Sequence, residues 1–170
     1  MINIIAKIDR NRAIGYRNKL LFNIPADMQR FKTLTMGHAV IMGRTTFQSL
    51  PCGALPGRRN VVVSRTITSL TGAEVYNSID KALEACRDEA EVFIIGGGEI
   101  FRQTIGIAHR MYLTIVDEVS PHADTWFPPF DTWELKEETH EDGVAFCTFI
   151  VSEVKEGKAE VMMGSYDEEL

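Results

Sequence analysis

The sequence has few cysteines and histidines, and neither residue type is spaced for a shared site. Its three cysteines, Cys52, Cys86 and Cys147, are odd in number and widely separated along the chain. Its four histidines form no motif of metal ligands. Disulfide frameworks and zinc sites both depend on recognisable spacings. We therefore predict neither a disulfide bond nor a metal site.

The sequence also lacks an excess of positive charge. It has 18 lysines and arginines against 24 aspartates and glutamates, and its formal net charge is −6. General nucleic-acid binding requires a basic surface that displaces counterions from phosphates, so this balance argues against it. An anionic ligand must instead find a local group of arginines.

Long apolar runs are absent as well. No stretch approaches the roughly 20 residues that a membrane-spanning helix needs. The N-terminus does not combine a basic segment, an apolar core and a cleavage site as a secretory signal does. We expect a cytoplasmic protein that does not bind membranes.

Apolar strand patterns alternate with helical patterns along the chain. The runs 39–42, 61–63 and 92–95 are continuously apolar, which is typical of strands buried on both faces. This alternation predicts an α/β fold with a mostly parallel sheet of about eight strands, and two late strands with no helix between them predict an antiparallel C-terminal edge. The predicted strands are 2–8, 39–43, 60–64, 73–76, 91–95, 110–117, 132–139 and 144–153, and the predicted helices are 25–35, 45–49, 78–87 and 98–104.

The organisation of the chain predicts one domain. No internal repeat and no linker rich in proline, glycine or serine divides it. We assign residues 1–154 to the domain and residues 155–170 to a polar, acidic C-terminal extension that we expect to be poorly ordered. Residues 9–23 are predicted to form a loop.

The first predicted helix places a carboxylate in its first turn. Pro25 suits that turn because its φ is already helical, so Asp27 follows within it. Ile24, Met28 and Phe31 recur at helical spacing and predict a buried face, with Asp27 one position away from it. Asp27 is therefore either an acid at the edge of a cavity or an acid that complements the helix dipole.

Two segments run from a strand through glycine into a helix. Gly43 and Arg44 end one strand, and Gly96 to Gly98 end another. Backbone N–H groups at such junctions can hold phosphates, and glycines let a ligand approach the backbone closely. Neither junction has the dinucleotide fingerprint, and glycines also make ordinary turns. Arg58 and Arg65 offer further local positive charge, although single arginines are usually solvated.

Several motifs, in this order and spacing, resemble the dihydrofolate reductase family of the bacterial chromosomal type. The resemblance covers nearly the whole chain, and Asn23-Ile24-Pro25-Ala26-Asp27 is a characteristic part of it. The matching segments are residues 14–15, 23–27, 31–32, 41–47, 55–58, 61–65, 95–101, 112–114 and 124–128.

The resemblance implies an eight-stranded sheet with four helices and the NADPH-dependent reduction of 7,8-dihydrofolate to 5,6,7,8-tetrahydrofolate. That reaction would supply one-carbon metabolism for thymidylate, purine and amino-acid synthesis. The implied partners are dihydrofolate and antifolate inhibitors, and the implied oligomeric state is a monomer. The implied catalytic residues are Asp27, Phe22, Leu20 and Thr114, and the implied substrate-binding residues are Ile5, Ala6, Asp27, Phe31, Leu50, Leu55, Arg58, Ile95 and Thr114.

The resemblance also implies where NADPH binds. Ala6, Ile14 and Gly15 would meet the nicotinamide end, and Ser64 and Arg65 would read the 2′-phosphate. The Gly96–Gly97 peptide bond is cis in this family. The remaining implied cofactor-binding residues are Gly43, Arg44, Thr45, Thr46, Ile95, Gly96, Gly97, Gly98, Glu99, Ile100 and Phe101.

The resemblance further implies that residues 9–22 act as a lid, with Asp124 holding its closed state. Five positions depart from the usual family residues: Phe22 replaces a tryptophan, Leu20-Leu21 replaces a Met-Pro pair, Phe101 replaces a tyrosine, and Glu99 stands where some relatives have an arginine. Two alternatives remain open at this point. One is another NADPH reductase on the same fold, acting for example on a pyrimidine ribotide, and the other is a folate- or nucleotide-binding module without catalysis.

Overall fold

The computed structural model describes residues 1–16, 19–20, 24–141 and 143–151. The predicted C-terminal extension and Phe22 lie outside these residues. The described strands are β1 Ile2–Ile8, β2 Ala13–Tyr16, β3 Lys19–Leu20, β4 Ala39–Gly43, β5 Arg59–Val63, β6 Glu74–Tyr76, β7 Val92–Gly96, β8 Arg110–Val116, β9 Thr125–Trp126, β10 Trp133–Glu141 and β11 Val144–Val151. The described helices are α1 Pro25–Thr35, α2 Arg44–Ser49, α3 Ile79–Ala85 and α4 Gly98–Thr104.

Eight strands form one mixed sheet in the order β10-β11-β8-β1-β7-β4-β5-β6. The six strands from β8 to β6 are parallel, whereas β11 and β10 add an antiparallel edge. The predicted fold class is therefore confirmed. One edge strand, β6, has three residues, and the other, β10, is exposed along nearly its whole length.

Each face of the sheet carries a hydrophobic cluster. Val40, Met42, Val62 and Phe93 pack with α1 and α2 on one face. Ile41, Val61 and Ile94 point to the opposite face, where they pack with residues of α3 and α4. Because neighbouring residues of a strand point to opposite faces, each continuous apolar run supplies both clusters.

The predicted loop over residues 9–23 is wrong in part, because it contains β2 and β3. These two strands form a second sheet with β9, in the order β3-β2-β9. The start of the segment is fixed by Asp9, whose Oδ1 accepts hydrogen bonds from the backbone N–H groups of Asn11 and Ala13 and whose Oδ2 accepts one from Ser120. Strands of two to four residues show no readable alternation, so the sequence did not reveal them.

The predicted buried face of α1 is also wrong at one position. Met28 is 59% exposed. The inward stripe instead includes Asp27, Phe31 and Thr35, which follow one another at intervals of four residues. An acid can replace an apolar residue in such a stripe when polar groups on the sheet bind its carboxylate, because a buried charge needs partners.

Candidate active site

Asp27 lies between α1 and the sheet, and each of its carboxylate oxygens faces a different polar group. Thr114 Oγ1 donates a hydrogen bond to Asp27 Oδ1 over 2.5 Å. Lys7 Nζ lies 3.6 Å from Asp27 Oδ2. The Asp27 side chain is 19% exposed and the Lys7 side chain 9% exposed. The carboxylate is thus held in place and remains open to a ligand along one side.

The strands explain why these groups meet. Lys7 on β1 and Thr114 on β8 are direct partners in the parallel register. Both lie near the carboxyl ends of their strands, which is where open α/β sheets bind ligands. Ile5 points to the same face as Lys7 because it lies two residues earlier on the strand. Ala6 packs with the cluster on the opposite face, so its side chain points away from Asp27.

Arg30 adds a second positive charge near Asp27. Its guanidinium lies over the rings of Tyr112 and Phe146, at 5.6 and 5.1 Å from their centroids. It also donates long hydrogen bonds to the carbonyl groups of Leu113 and Cys147. Burial lowers the pKa of Arg30, and the negative charge of Asp27 opposes this shift.

Arg58 lies at the other end of α1. Its Nη1 donates a hydrogen bond to Thr35 Oγ1 over 3.2 Å, and its Nε donates one to the carbonyl of Pro56 over 2.9 Å. Its guanidinium carbon lies 5.9 Å from the centroid of the Phe31 ring. Burial lowers the pKa of Arg58 from its ordinary value.

Apolar side chains lie between Asp27 and Arg58. Thr35, which contacts Arg58, comes eight residues after Asp27, a distance of about 12 Å along a helix that rises 1.5 Å per residue. The predicted substrate-binding residues Ile5, Phe31, Leu50, Leu55 and Ile95 all belong to the hydrophobic cluster on this face. We call the surface from Asp27 past these apolar residues to Arg58 the candidate cleft; its groups suit a ligand with hydrogen-bond donors at one end, an apolar middle and an anion at the other end.

The two strand-glycine-helix junctions lie side by side, because β4 and β7 are adjacent parallel strands. A Cβ atom built on Gly43 would lie 3.9 Å from Gly96 O and 4.0 Å from Gly97 N. A Cβ atom on Gly96 or Gly97 would lie 3.7 Å from Thr46 Oγ1. The peptide bond between Gly96 and Gly97 is cis, as the family resemblance implied.

The starts of α2 and α4 differ from the start of α3. Ser78 Oγ caps α3 by accepting a hydrogen bond from the Lys81 backbone N–H. Gly43 and Gly97 precede α2 and α4, and neither start has a hydrogen bond from a capping side chain within the described part of the chain. Helix starts of this kind are places where backbone N–H groups can bind an anion.

Exposed arginine side chains around these junctions supply positive charge. Arg44, Thr45 and Thr46 form the first turn of α2, where Arg44 and Thr45 are exposed and Thr46 is half-buried. Arg65 is exposed after β5, and Ser64 Oγ accepts a hydrogen bond from the Ile67 backbone N–H in the same turn.

Glu99 in the first turn of α4 is exposed and receives hydrogen bonds from Arg102 and Gln103. Those bonds hold the pKa of Glu99 below its usual value, and the charge of Arg65 adds a smaller effect in the same direction.

The second sheet closes against α4. A Cβ atom on Gly98 would lie 2.8 Å from Thr125 Cγ2 and 3.8 Å from Ile14 Cδ1, so glycine is required there for close approach. Gly15 pairs with both Leu20 and Thr125, and the Gly15 carbonyl accepts a hydrogen bond from the Asp124 backbone N–H. Ile100 and Phe101 are buried in the core behind the glycines.

The structure brings many of the residues predicted from the sequence close together, and it adds Lys7 and Arg30, which sequence reasoning overlooked. A lysine inside an otherwise apolar strand, on the same face as Ile5, is a signal that could have identified Lys7. Leu20 lies on β3 beside Gly15, and Phe22 lies outside the described residues. Among the described residues, no group of His, Cys, Asp and Glu side chains is arranged to hold a metal ion.

The eight-stranded mixed sheet and its four described helices define an α/β protein. The family model of dihydrofolate reductase matches residues 1–152. The chain belongs to the dihydrofolate reductase family.

Curated relatives extend over most of the chain. It is 42% identical to dihydrofolate reductase type 3 of Salmonella typhimurium over 144 residues, which are 82% of this chain and 88% of that protein. It is 40% identical to dihydrofolate reductase of Neisseria gonorrhoeae over 156 residues, covering 88% and 95% of the two chains.

A solved structure supports the same assignment. Dihydrofolate reductase from Enterococcus faecalis, in complex with NADP(H) and RAB-propyl, superposes with a TM-score of 0.82 at 26% sequence identity. The match covers 90% of this chain and 97% of that chain. Within the described residues of our chain, no helix combines the length and apolar character that crossing a membrane requires.

Proposed function

We propose that this dihydrofolate reductase uses NADPH to convert 7,8-dihydrofolate into 5,6,7,8-tetrahydrofolate and so supplies one-carbon units for thymidylate, purine and amino-acid synthesis. We place it in the cytoplasm as a monomer. The observation that carries the proposal is that Asp27 lies in the first turn of α1, while Arg58 binds Thr35 about 12 Å further along that helix, with apolar side chains between them. Dihydrofolate has the matching order of groups: a pterin with N–H donors, an aromatic ring, and a glutamate with carboxylates.

Asp27 is proposed to receive the pterin. Its carboxylate would accept hydrogen bonds from the 2-amino group and N3–H, a two-point contact that fixes the plane of the ring. Thr114 orients the carboxylate by donating to Oδ1. Ile5 and Phe31 would exclude water from the faces of the pterin. N5 lies on the other side of the ring from this contact, so its proton would arrive through water.

Arg58 is proposed to hold the glutamate α-carboxylate. A planar guanidinium can make two parallel hydrogen bonds to a carboxylate. Two of its donors are already occupied by Thr35 and Pro56, and these bonds orient the group. A pyrimidine ribotide has no such carboxylate, so this arginine favours a folate over the alternative substrate.

The residues at the glycine junctions fit NADPH. Gly43, Gly96 and Gly97 approach one another closely beside Thr46, and Arg44 and Arg65 supply exposed positive charge. We propose that these residues hold the phosphates, with Ser64 and Arg65 at the 2′-phosphate, and that Ile14 and Gly15 cover the nicotinamide. When bound, NADPH supplies the hydride that reduces the pterin.

The test is the rate of NADPH oxidation with dihydrofolate, followed through the near-ultraviolet absorbance of the reduced nicotinamide. We expect rapid loss of absorbance with NADPH and slower loss with NADH. No loss with either cofactor would contradict the proposed reaction. Binding of both ligands without turnover would instead favour a binding module.

A further inference from the structure

Lys7 places an ammonium group inside the pocket of the candidate catalytic carboxylate. Its side chain is 9% exposed, and its Nζ is 3.6 Å from Asp27 Oδ2. A lysine this strongly buried normally needs an opposite charge, because desolvating an unpaired ammonium is costly. Asp27 supplies that charge, and the pair lies between β1 and α1.

A ligand on Asp27 binds close to Lys7. Oδ1 already accepts a hydrogen bond from Thr114, and Oδ2 faces the ammonium. A heterocyclic amidine that binds a carboxylate with two N–H groups needs both oxygens, and each oxygen can accept more than one hydrogen bond. The ligand therefore binds Oδ2 next to the Lys7 ammonium, which extends from strand β1 directly opposite Thr114.

The summed charge of Asp27, Lys7 and Arg30 is positive rather than negative. Lys7 and Arg30 supply two cations near Asp27, and burial together with its contacts to Tyr112 and Phe146 keeps Arg30 on this face. A neutral head group on Asp27 leaves this balance unchanged. A cationic head group adds a third positive charge in a partly desolvated site, where like charges repel strongly.

We propose that Lys7 is a specificity-determining residue that favours neutral amidine-containing heterocycles over protonated ones. The neutral class includes the 2-amino-4-oxo head group of pterins, and the cationic class includes protonated 2,4-diaminopyrimidines. The inference deepens the proposed function and rests on it, because it assumes that Asp27 receives the heterocycle.

The test compares two ligands that differ in one substituent. They are 2,4-diamino-5-benzylpyrimidine, measured at a pH where it is protonated, and its neutral analogue 2-amino-5-benzyl-4-oxopyrimidine. Titration calorimetry gives the dissociation constant of each for the parent protein and for Lys7→Met. We expect the ratio of the diamino to the oxo constant to fall about tenfold or more in Lys7→Met.

Three further variants control for folding and total charge. Lys7→Gln removes the charge but keeps a hydrogen-bond donor, so it should shift the ratio as Lys7→Met does and serves if Lys7→Met does not fold. Lys7→Arg keeps the charge and should preserve the parent ratio. Lys81→Met removes an exposed lysine from α3 and should also preserve it.

The outcomes separate the inference from the proposed function. An unchanged ratio in Lys7→Met or Lys7→Gln overturns the inference, as does an equal shift in Lys81→Met. Turnover of dihydrofolate by the parent protein is measured in parallel. If the ratio shifts as expected but the parent protein reduces no dihydrofolate, the proposed function fails and the charge selection by Lys7 stands.

Discussion

At the Asp27 end of the cleft, the candidate ligand-binding group is a side chain that other side chains hold in place. At the glycine junctions, the candidate groups are backbone groups and exposed arginines. Thr114 and Lys7 both contact Asp27, and Thr114 is fully buried. At Gly43 and Gly96, the backbones of β4 and β7 approach each other closely, and Arg44 and Arg65 are exposed to solvent. We infer that substituting a single side chain can abolish function at the Asp27 end, whereas function at the glycine junctions depends on the backbone conformation.

The largest effect is expected for Asp27→Asn. Turnover at neutral pH should fall about a hundredfold or more, within the usual range for loss of an acid–base group. The loss should be relatively smaller at acid pH, where dihydrofolate protonated in solution bypasses the carboxylate. Steady-state kinetics over a range of pH measure both effects.

Asp80→Asn is the matched control, because Asp80 is also an acid in the first turn of a helix. It tests whether Asp27 merely complements a helix dipole. Equal and small effects of the two substitutions would support the dipole explanation and remove Asp27 from the mechanism.

The second-largest effect is expected at the Arg58 end of the cleft. Arg58→Leu should raise the KM for dihydrofolate roughly thirtyfold, because truncating one partner of a partly buried charge pair costs about 2 kcal/mol or more. The KM for NADPH should change little. Arg58→Lys keeps the charge but loses the planar fork, so we expect an intermediate value.

Dihydropteroate, which lacks the glutamate, provides the ligand control for this prediction. Its binding should be the same in the parent protein and in Arg58→Leu. Equal weakening of dihydrofolate and NADPH would mean that Arg58 does not serve the substrate.

At the glycine junctions, Gly96→Ala should lower the free energy of unfolding by about 1–3 kcal/mol, because φ at Gly96 is +125° and side chains rarely adopt this conformation. NADPH binding should weaken at the same time. Denaturant unfolding measures the first effect, and calorimetry the second. Gly106→Ala is the control, since a Cβ there meets nothing within 4 Å; a similar loss in both variants would refute a special role for Gly96.

The smallest effect is expected for Glu99→Gln. Removing this exposed carboxylate near Arg65 should strengthen NADPH binding a few-fold at low salt, and added salt should cancel the gain because exposed charges are screened. Glu84→Gln is the control, since Glu84 also pairs with an arginine three residues later on a helix. A gain that persists at high salt would contradict an electrostatic cause.

The same contrast explains how much of the protein could be predicted from its sequence. The central strands were predicted well because their burial on both faces leaves continuous apolar runs, as in Val92–Gly96. The glycine junctions and Asp27 were predicted because their residue types are chemically unusual at those places. The arrangement of Lys7 beside Thr114 was not predicted, since it depends on the register between β1 and β8, which no local pattern encodes.

The orientation of α1 was also not predicted from the sequence. Hydrophobic periodicity favoured Met28 as a buried residue, whereas the polar contacts of Asp27 with Thr114 and Lys7 turn the helix so that Met28 faces solvent. Tertiary polar partners thus overrode the apolar pattern. Mutating the partners is therefore a better probe of this helix than mutating its apolar residues.

The exposed edge strand β10 also bears on how the protein behaves at high concentration. An edge strand presents unpaired backbone groups to which a strand of another molecule can add, and this addition leads to aggregation. Most of β10 is exposed, and it carries Glu134, Glu137, Glu138 and Glu141 along its length. Bringing two such strands together would place carboxylates of like charge side by side. We therefore expect the acidity of this edge to oppose the addition of further strands, independently of catalysis.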